Sequence, residues 1–174
     1  MPVQPIVQYP DQRLTTPCSP VTQFDEQLVS LIDNLTSTLY TTTGIGLSAP
    51  QIGVLQQVMV TDLSDDRDDP KTYINPEILE KSGLAIAHES CLSLPGVEAK
   101  VMRSATLHIQ ALGKDGTLFK QELTGMNAIC MQHEIDHLQG KLFIERISAV
   151  RRFFLRNQLN ELQQAAHQPS YAAT

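Results

Sequence analysis

Asn127-Ala128-Ile129-Cys130-Met131-Gln132-His133-Glu134-Ile135-Asp136-His137-Leu138 is the stretch on which the reading of this chain turns. Its pattern is helical, and Gly140 just beyond is a natural C-terminal stop. His133 and His137 stand four residues apart, so at about 3.6 residues per turn they stack on one face and can share a metal ion. Glu134 sits beside that face and can reach a metal-bound water without being a ligand. The ion lowers the pKa of such a water toward neutrality, and the carboxylate then takes and delivers protons. The same short pattern occurs in helices whose histidines are plain surface or core residues, so its surroundings carry the argument. Followed backwards, the face adds Met126, Ile129 and Cys130. Such a stripe is usually core; any of it left uncovered beside an ion forms an apolar pocket. Met126 suits that pocket because an unbranched thioether adapts to flexible guests.

Two histidines need a third protein ligand, with the fourth position left to water. Cys91 is the best candidate, in Glu89-Ser90-Cys91-Leu92-Ser93-Leu94-Pro95-Gly96. Cys130 competes for the role, and Cys18 lies in a proline-flanked loop with no obvious partner. A thiolate with two imidazoles suits zinc or ferrous iron, and the residues alone do not choose between them.

Outward from the helix, Phe24, Leu28, Leu31, Ile32, Leu35 and Leu39 recur at helical spacing, predicting an amphipathic helix over 24–39. Thr22 is its expected N-cap, with Asp25 and Glu26 favourable to the dipole in the first turn. Gly44-Ile45-Gly46-Leu47-Ser48-Ala49-Pro50-Gln51-Ile52-Gly53 reads as a tight loop where backbone approaches something closely. Val58–Thr61 reads as a buried strand, and the acidic run 62–69 as a solvated loop. Tyr73–Leu79, Ala105–Leu112 and Thr117–Leu123 are further strands, the last two joined at Lys114-Asp115-Gly116, a hairpin signal. A last amphipathic helix is expected over about 148–164. The fold class is therefore α+β: mostly antiparallel sheets packed around a central metal-binding helix, with an N-terminal and a C-terminal helix.

The chain has 174 residues, 41% hydrophobic and 18% charged, which fits one compact globular domain. No apolar run approaches a membrane span, and Met1-Pro2-Val3-Gln4 lacks the start of a secretory signal, so a cytoplasmic location is expected. Three scattered cysteines argue against a disulfide framework. A net charge of −6 disfavours general affinity for DNA or RNA. Against that background Arg146, Arg151, Arg152 and Arg156 cluster near the C-terminus with Phe153, Phe154 and Leu155 among them. Two readings stand side by side: an ordinary amphipathic helix with a solvated basic side, or a docking surface.

Three stretches, in this order, resemble peptide deformylase, the enzyme that removes the formyl group from the N-terminal methionine of newly made bacterial proteins. Gly44-Ile45-Gly46-Leu47-Ser48-Ala49-Pro50-Gln51 is similar to that family's glycine-rich motif. Glu89-Ser90-Cys91-Leu92-Ser93 is similar to its cysteine motif, and Gln132-His133-Glu134-Ile135-Asp136-His137 to its helix motif. The likeness runs from Tyr9-Pro10-Asp11-Gln12-Arg13-Leu14 to Gly140-Lys141-Leu142-Phe143. It implies a deformylase-like catalytic domain over residues 1–166, followed by a disordered tail over 167–174. It implies Cys91, His133 and His137 as ligands of one divalent ion, Fe(2+) in the cell, replaceable by Zn(2+) or Ni(2+). Glu134 would shuttle protons between the metal-bound water and the departing amine. The Gln51 amide and Leu92 backbone N–H would stabilise the oxyanion. Ile45 and Gly46 would hold the peptide extended, and Met126, Ile129 and Cys130 would line the methionine pocket. Glu89 and Arg103 would form a buried pair bracing the cysteine loop. The implied substrates are N-formyl-methionyl nascent peptides. The C-terminal helix would dock on the ribosome, with strong salt dependence.

Three departures from the family pattern stand out. Ser90 replaces the usual glycine before the ligand cysteine; were positive φ required there, serine would cost about 1 kcal/mol and could shift Cys91. Ser48 replaces a common alanine, and its hydroxyl needs a partner if buried. Glu98 stands where a basic residue is common near the substrate entrance. Two competing readings follow: a metallopeptidase of the His-Glu-x-x-His class, for which His167 is the only later histidine, and a divergent paralogue that binds metal and ribosome without turnover.

Overall fold

The computed structural model describes residues 2–167. Its first long element, α1 (Glu26–Leu39), buries Leu28, Leu31, Ile32, Leu35 and Leu39. Asp25, not Thr22, caps it: its backbone is extended and its carboxylate accepts from the N–H groups of Gln27 and Leu28 at 3.0 and 3.1 Å. Phe24 therefore precedes the helix and stays exposed, lying beside Gly116 of the hairpin expected from the sequence. At the other end Arg67 donates to the carbonyls of Leu39 and Thr42, both at 3.1 Å, adding to the bonds that close the helix.

Five strands form the main sheet in the order β1-β2-β3-β6-β7, every neighbouring pair antiparallel. They are β1 (Gly46–Ser48), β2 (Val58–Thr61), β3 (Lys71–Ser82), β6 (Thr106–Leu112) and β7 (Leu118–Thr124). β1 and a following 3-10 turn over Ala49–Ile52 occupy the stretch expected as a loop. β3 is longer than the sequence suggests and its register shifts between Ile74 and Glu77. There Asn75 takes φ 50°, and its side chain clasps Val21, accepting from the N–H and donating to the carbonyl, each at 2.8 Å. The acidic run after β2 is not simply solvated. Asp62 is buried and accepts from Tyr40 Oη at 2.7 Å, Ser64 Oγ at 2.6 Å and the backbone of Ser64 and Asp69.

A second, two-stranded sheet is formed by β4 (Ala85–Cys91) and β5 (Leu94–Arg103), neither of which the sequence pattern announced. The inner face of this ribbon carries Ala87, Glu89 and Cys91 opposite Val97, Val101 and Arg103. α2 (Gly125–Leu138) packs on the main sheet and reaches the ribbon through His133 and Asp136. Ala128, Met131, Ile135 and Leu138 pack on Leu107, Ile109 and Leu123 of the main sheet. Losing one such buried side chain to alanine costs about 2–5 kcal/mol. α2 stops at Gly140, φ +69°, where an added Cβ would meet the Thr15 carbonyl at 2.8 Å. Phe143 and Ile144 then pack under the ribbon with α3 (Ala149–His167), which contributes Leu159. α3 runs three residues past the expected end, so His167 closes a helix; residues 168–174 of the expected tail lie outside those described.

Candidate metal centre

Cys91 ends β4, where the ribbon turns over Leu92 and Ser93. The N-terminal segment clamps this turn: Gln8 Nε2 donates to the Leu92 carbonyl at 3.0 Å, and the Tyr9 N–H to the Ser93 carbonyl at 2.9 Å. The turn is thereby pressed onto α2. Cys91, His133 and His137 each offer a ligand atom, and these atoms all lie within 4.8 Å of one another. Cys91 Sγ is 3.2 Å from His137 Nε2; a tetrahedral zinc-sized ion spaces its S and N donors by about 3.5 Å. His133 Nδ1 meets Glu89 Oε2 at 2.8 Å, which leaves Nε2 for the centre. A soft thiolate with two imidazoles is a donor set for zinc or ferrous iron. The residues fit such an ion.

Electrostatics separate the two cysteines of the site. Burial alone would raise the Cys91 thiol, but the imidazoles of His137 and His133 hold it well below the ordinary thiol value. Cys130 is pushed well above that value by burial, with Glu134 and Glu89 adding to the effect, and stays a thiol. Cys130 is also absent from the convergent group, so the competition between them falls to Cys91. Burial raises the Glu134 carboxyl against the pull of both imidazoles. Its Oε2 has no hydrogen-bond partner among the described residues.

In front of these groups opens a cleft of about 530 Å³. Ile45, Gly46, Gln51, Cys91, Leu92, Met126, Ile129, Cys130, His133 and Glu134 all line it, while His137 is buried behind. Hollows of about 690 and 620 Å³ open elsewhere on the surface, but neither touches the ligand group. Gly46 is pressed against the face of α2 that carries Cys130 and Glu134: a Cβ there would stand 2.7 Å from Glu134 Oε1 and 2.8 Å from Cys130 Sγ. Gln51 is locked by its carbonyl oxygen, which accepts from the Ser48 N–H and hydroxyl, both at 2.9 Å. Its amide nitrogen is therefore turned to Cys91 Sγ, 3.7 Å away, and Ser93 Oγ, 3.5 Å away. Met126 is 57% exposed at the mouth, Ile129 half-buried and Cys130 buried, so the stripe grades from open rim to floor.

Each departure noted in the sequence has a structural outcome. Ser90 lies in the extended ribbon and is not among the residues of positive φ, so no strain attaches to it. Ser48 is fully buried with its hydroxyl satisfied by Gln51. Glu98 is exposed at the cleft rim, opposite Ser90 and 3.6 Å from His88 Nδ1.

The charged network extends further than the sequence suggests. Arg103 holds Glu89 through Nε at 2.6 Å and Nη2 at 2.9 Å, the buried pair that was expected. Its remaining arm, Nη1, reaches Asp136 Oδ2 at 2.6 Å, and Arg146 clasps the same carboxylate through Nε at 3.0 Å and Nη2. Arg146 thus belongs to this network and not to a loose basic surface. Burial would raise Glu89, yet Arg103 and His133 hold it at about 2. No sequence signal pairs a helical Asp136 with a strand arginine 33 residues away.

The chain is similar to known proteins along most of its length. A family model described as polypeptide deformylase matches residues 3–153. The chain is similar to a peptide deformylase of Neisseria meningitidis serogroup B, 43% identical over 158 residues, covering 91% of this chain and 95% of that one. Similarity to one from Chromobacterium violaceum is 42% over 156 residues, covering 90% and 93%. The crystal structure of a peptide deformylase from Legionella pneumophila superposes with a TM-score of 0.88 at 37% identity, covering 97% of this chain and all of that one. One from Plasmodium falciparum superposes at 0.87 and 33%, covering 97% and 99%.

Proposed function

The chain belongs to the polypeptide deformylase family of metal-dependent hydrolases, which remove N-formyl groups, and from that premise we propose how its residues divide the work. Cys91, His133 and His137 hold one divalent ion. When bound, that ion supplies Lewis acidity and a water acidic near neutrality. Glu134 takes the proton of the attacking water as its oxygen joins the formyl carbon. It returns the proton to the amine nitrogen as the C–N bond breaks, releasing formate and a free N-terminus. Gln51 Nε2 and the Leu92 N–H donate to the oxygen that gains charge, and the Ser48 clasp keeps the amide from turning away. Ile45 and Gly46 steady the peptide backbone in extended form at the edge strand β1, and Met126, Ile129 and Cys130 receive the methionine side chain. The substrates are formylated nascent peptides.

The observation that carries this reading is the convergence of one thiolate and two imidazoles within 4.8 Å, beside a buried carboxylate oxygen with no partner among the described residues. Metal-loaded protein should release formate from formyl-Met-Ala-Ser, and Glu134→Gln should lose nearly all turnover while keeping its metal. No formate from an intact, ferrous-loaded preparation across several formyl-Met peptides would end the reading.

Fe(2+) is the ion we assign in the cell, with Zn(2+) or Ni(2+) as replacements; metal analysis of anaerobically purified protein tests it. We place the protein in the cytoplasm, consistent with its three free thiols, one of them in the ligand group. Among the described residues no helix is long and apolar enough to cross a membrane. Docking of α3 on the ribosome rests on its exposed Phe153 and Phe154 beside Arg152 and Arg156, the last lying 3.9 Å over the Phe153 ring. Salt-sensitive cosedimentation with ribosomes, lost on Arg152→Glu with Arg156→Glu, is its test.

A further inference from the structure

We propose that Arg146 is a positioning residue for the metal centre, acting through Asp136, Arg103 and Glu89 on the imidazole of His133. The proposal rests on the ligand set assigned above. Arg146 stands outside the cleft, 42% exposed, in the segment between α2 and α3. From it an unbroken series of ion pairs runs inward: to Asp136, from Asp136 to Arg103 Nη1, from Arg103 to both oxygens of Glu89, and from Glu89 Oε2 to His133 Nδ1. The three middle side chains are 5% exposed or less.

The arrangement is balanced in charge and saturated in geometry. Two arginines face two carboxylates, and Glu89 Oε2 is shared by Arg103 Nη2 at 2.9 Å and His133 Nδ1 at 2.8 Å. Without Arg146 the buried trio holds two carboxylates against one guanidinium. An uncompensated buried charge is strongly unfavourable, and the available relief is for Arg103 to move toward Asp136. That movement draws Arg103 from Glu89 and takes with it the oxygen that fixes the His133 ring. Outer partners of metal-binding histidines orient the ring, and their loss typically weakens metal binding about 10–100-fold. Arg146 lies further out, so a smaller effect of the same kind is expected.

The test uses the full-length chain stripped of metal and titrated with Co(II), reading affinity by chelator competition and the thiolate and ligand-field absorption bands. Arg146→Ala should weaken Co(II) binding about 5–20-fold and shift the bands. Arg146→Lys, which keeps the charge but cannot clasp with two arms, should recover part of both. Leu35→Ala, a buried position in a separate core cluster, should lose stability without changing either readout. In a double-mutant cycle with Glu89→Gln, the two losses should be clearly less than additive, because both act through the same ring. Co(II) affinity within twofold of wild type and unchanged bands in Arg146→Ala would overturn the proposal, as would an additive cycle. Should Arg146→Ala not fold, Arg146→Gln replaces it under the same criteria. Wild-type protein that binds no Co(II) would sink the ligand assignment and this proposal with it.

Discussion

Replacing Gly46 with alanine tests how closely the glycine-rich stretch is built against Glu134, the proposed acid–base group. The added methyl would sit 2.7 Å from Glu134 Oε1, 2.8 Å from Cys130 Sγ and 3.0 Å from Glu134 Cγ, where ordinary contact begins near 3.4 Å. Gly46 does not have positive φ, so the substitution brings no backbone strain and acts through these contacts alone. The Glu134 carboxylate must retreat by about 0.7 Å to restore contact distance. For folding the expected cost is about 1–3 kcal/mol, since the Glu134 tip can give way but the buried Cys130 sulfur must shift as well. For catalysis it is severe. A displacement approaching 1 Å costs up to about a hundredfold, so kcat should fall about 30–100-fold, equivalent to about 2–3 kcal/mol in the barrier. Metal content should not change, because the three atoms nearest the new methyl belong to Glu134 and Cys130, neither of them a proposed ligand. Gly44→Ala is the companion: its methyl meets only side-chain atoms closely, Leu92 Cδ1 at 3.0 Å and Thr42 Oγ1 at 3.3 Å, and kcat should fall less than tenfold. Steady-state formate release with metal analysis of each variant decides the matter. If Gly46→Ala keeps kcat within threefold, or loses metal along with activity, the reasoning about Glu134 is wrong.

Ser48→Ala removes one of two donors to Gln51 Oε1 and leaves the backbone N–H at 2.9 Å, so kcat should fall about 3–10-fold with KM little changed. Asn75→Ala loses both clasping bonds to Val21 at a residue of φ 50°; urea unfolding should show a loss of about 2–4 kcal/mol, only partly recovered by Asn75→Gly. Burial would raise the Asp62 carboxyl, but hydrogen bonds from Ser64, Tyr40 and the Asp69 N–H hold it at about 2, below its ordinary 3.8. Because the folded value is the lower one, its stabilisation is complete above about pH 4 and fades as pH drops toward 2. The Tm gap between wild type and Asp62→Asn should therefore be largest near neutrality and close on acidification; a gap that stays constant to pH 2.5 would contradict this.

Legibility varied with what the burial serves. α1 was readable because Leu28, Leu31, Ile32, Leu35 and Leu39 obey one period and one purpose, the core. The β6–β7 hairpin was readable from Lys114-Asp115-Gly116, where φ of Gly116 is +78°. β4 and β5 were not. Their inner face spends Glu89, Cys91 and Arg103 on the metal centre, while Ile86 and Met102 face outward, so the alternation that announces a strand runs against itself. The candidate ligand group was legible because His133 and His137 lie one helical turn apart and Cys91 sits in a recognisable motif. Asp136 and Arg146 were illegible because an acid on a helix and an arginine before another read as solvated until the chain is folded. The N-cap moved from Thr22 to Asp25 for a local reason: only Asp25 is placed to accept from two first-turn N–H groups.

β1 is three residues long and forms the outermost rung of the main sheet, beside the cleft. In the proposed binding mode, a peptide along it is gripped by groups that every amino acid possesses alike. On that proposal, a client polypeptide past its first side chain meets a grip blind to its spelling, which is what a single processing station needs if proteins of every composition are to pass through it. The shortness of the rung matters as much: three residues are too few to recruit a neighbouring molecule's strand, so openness to clients need not become stickiness between copies.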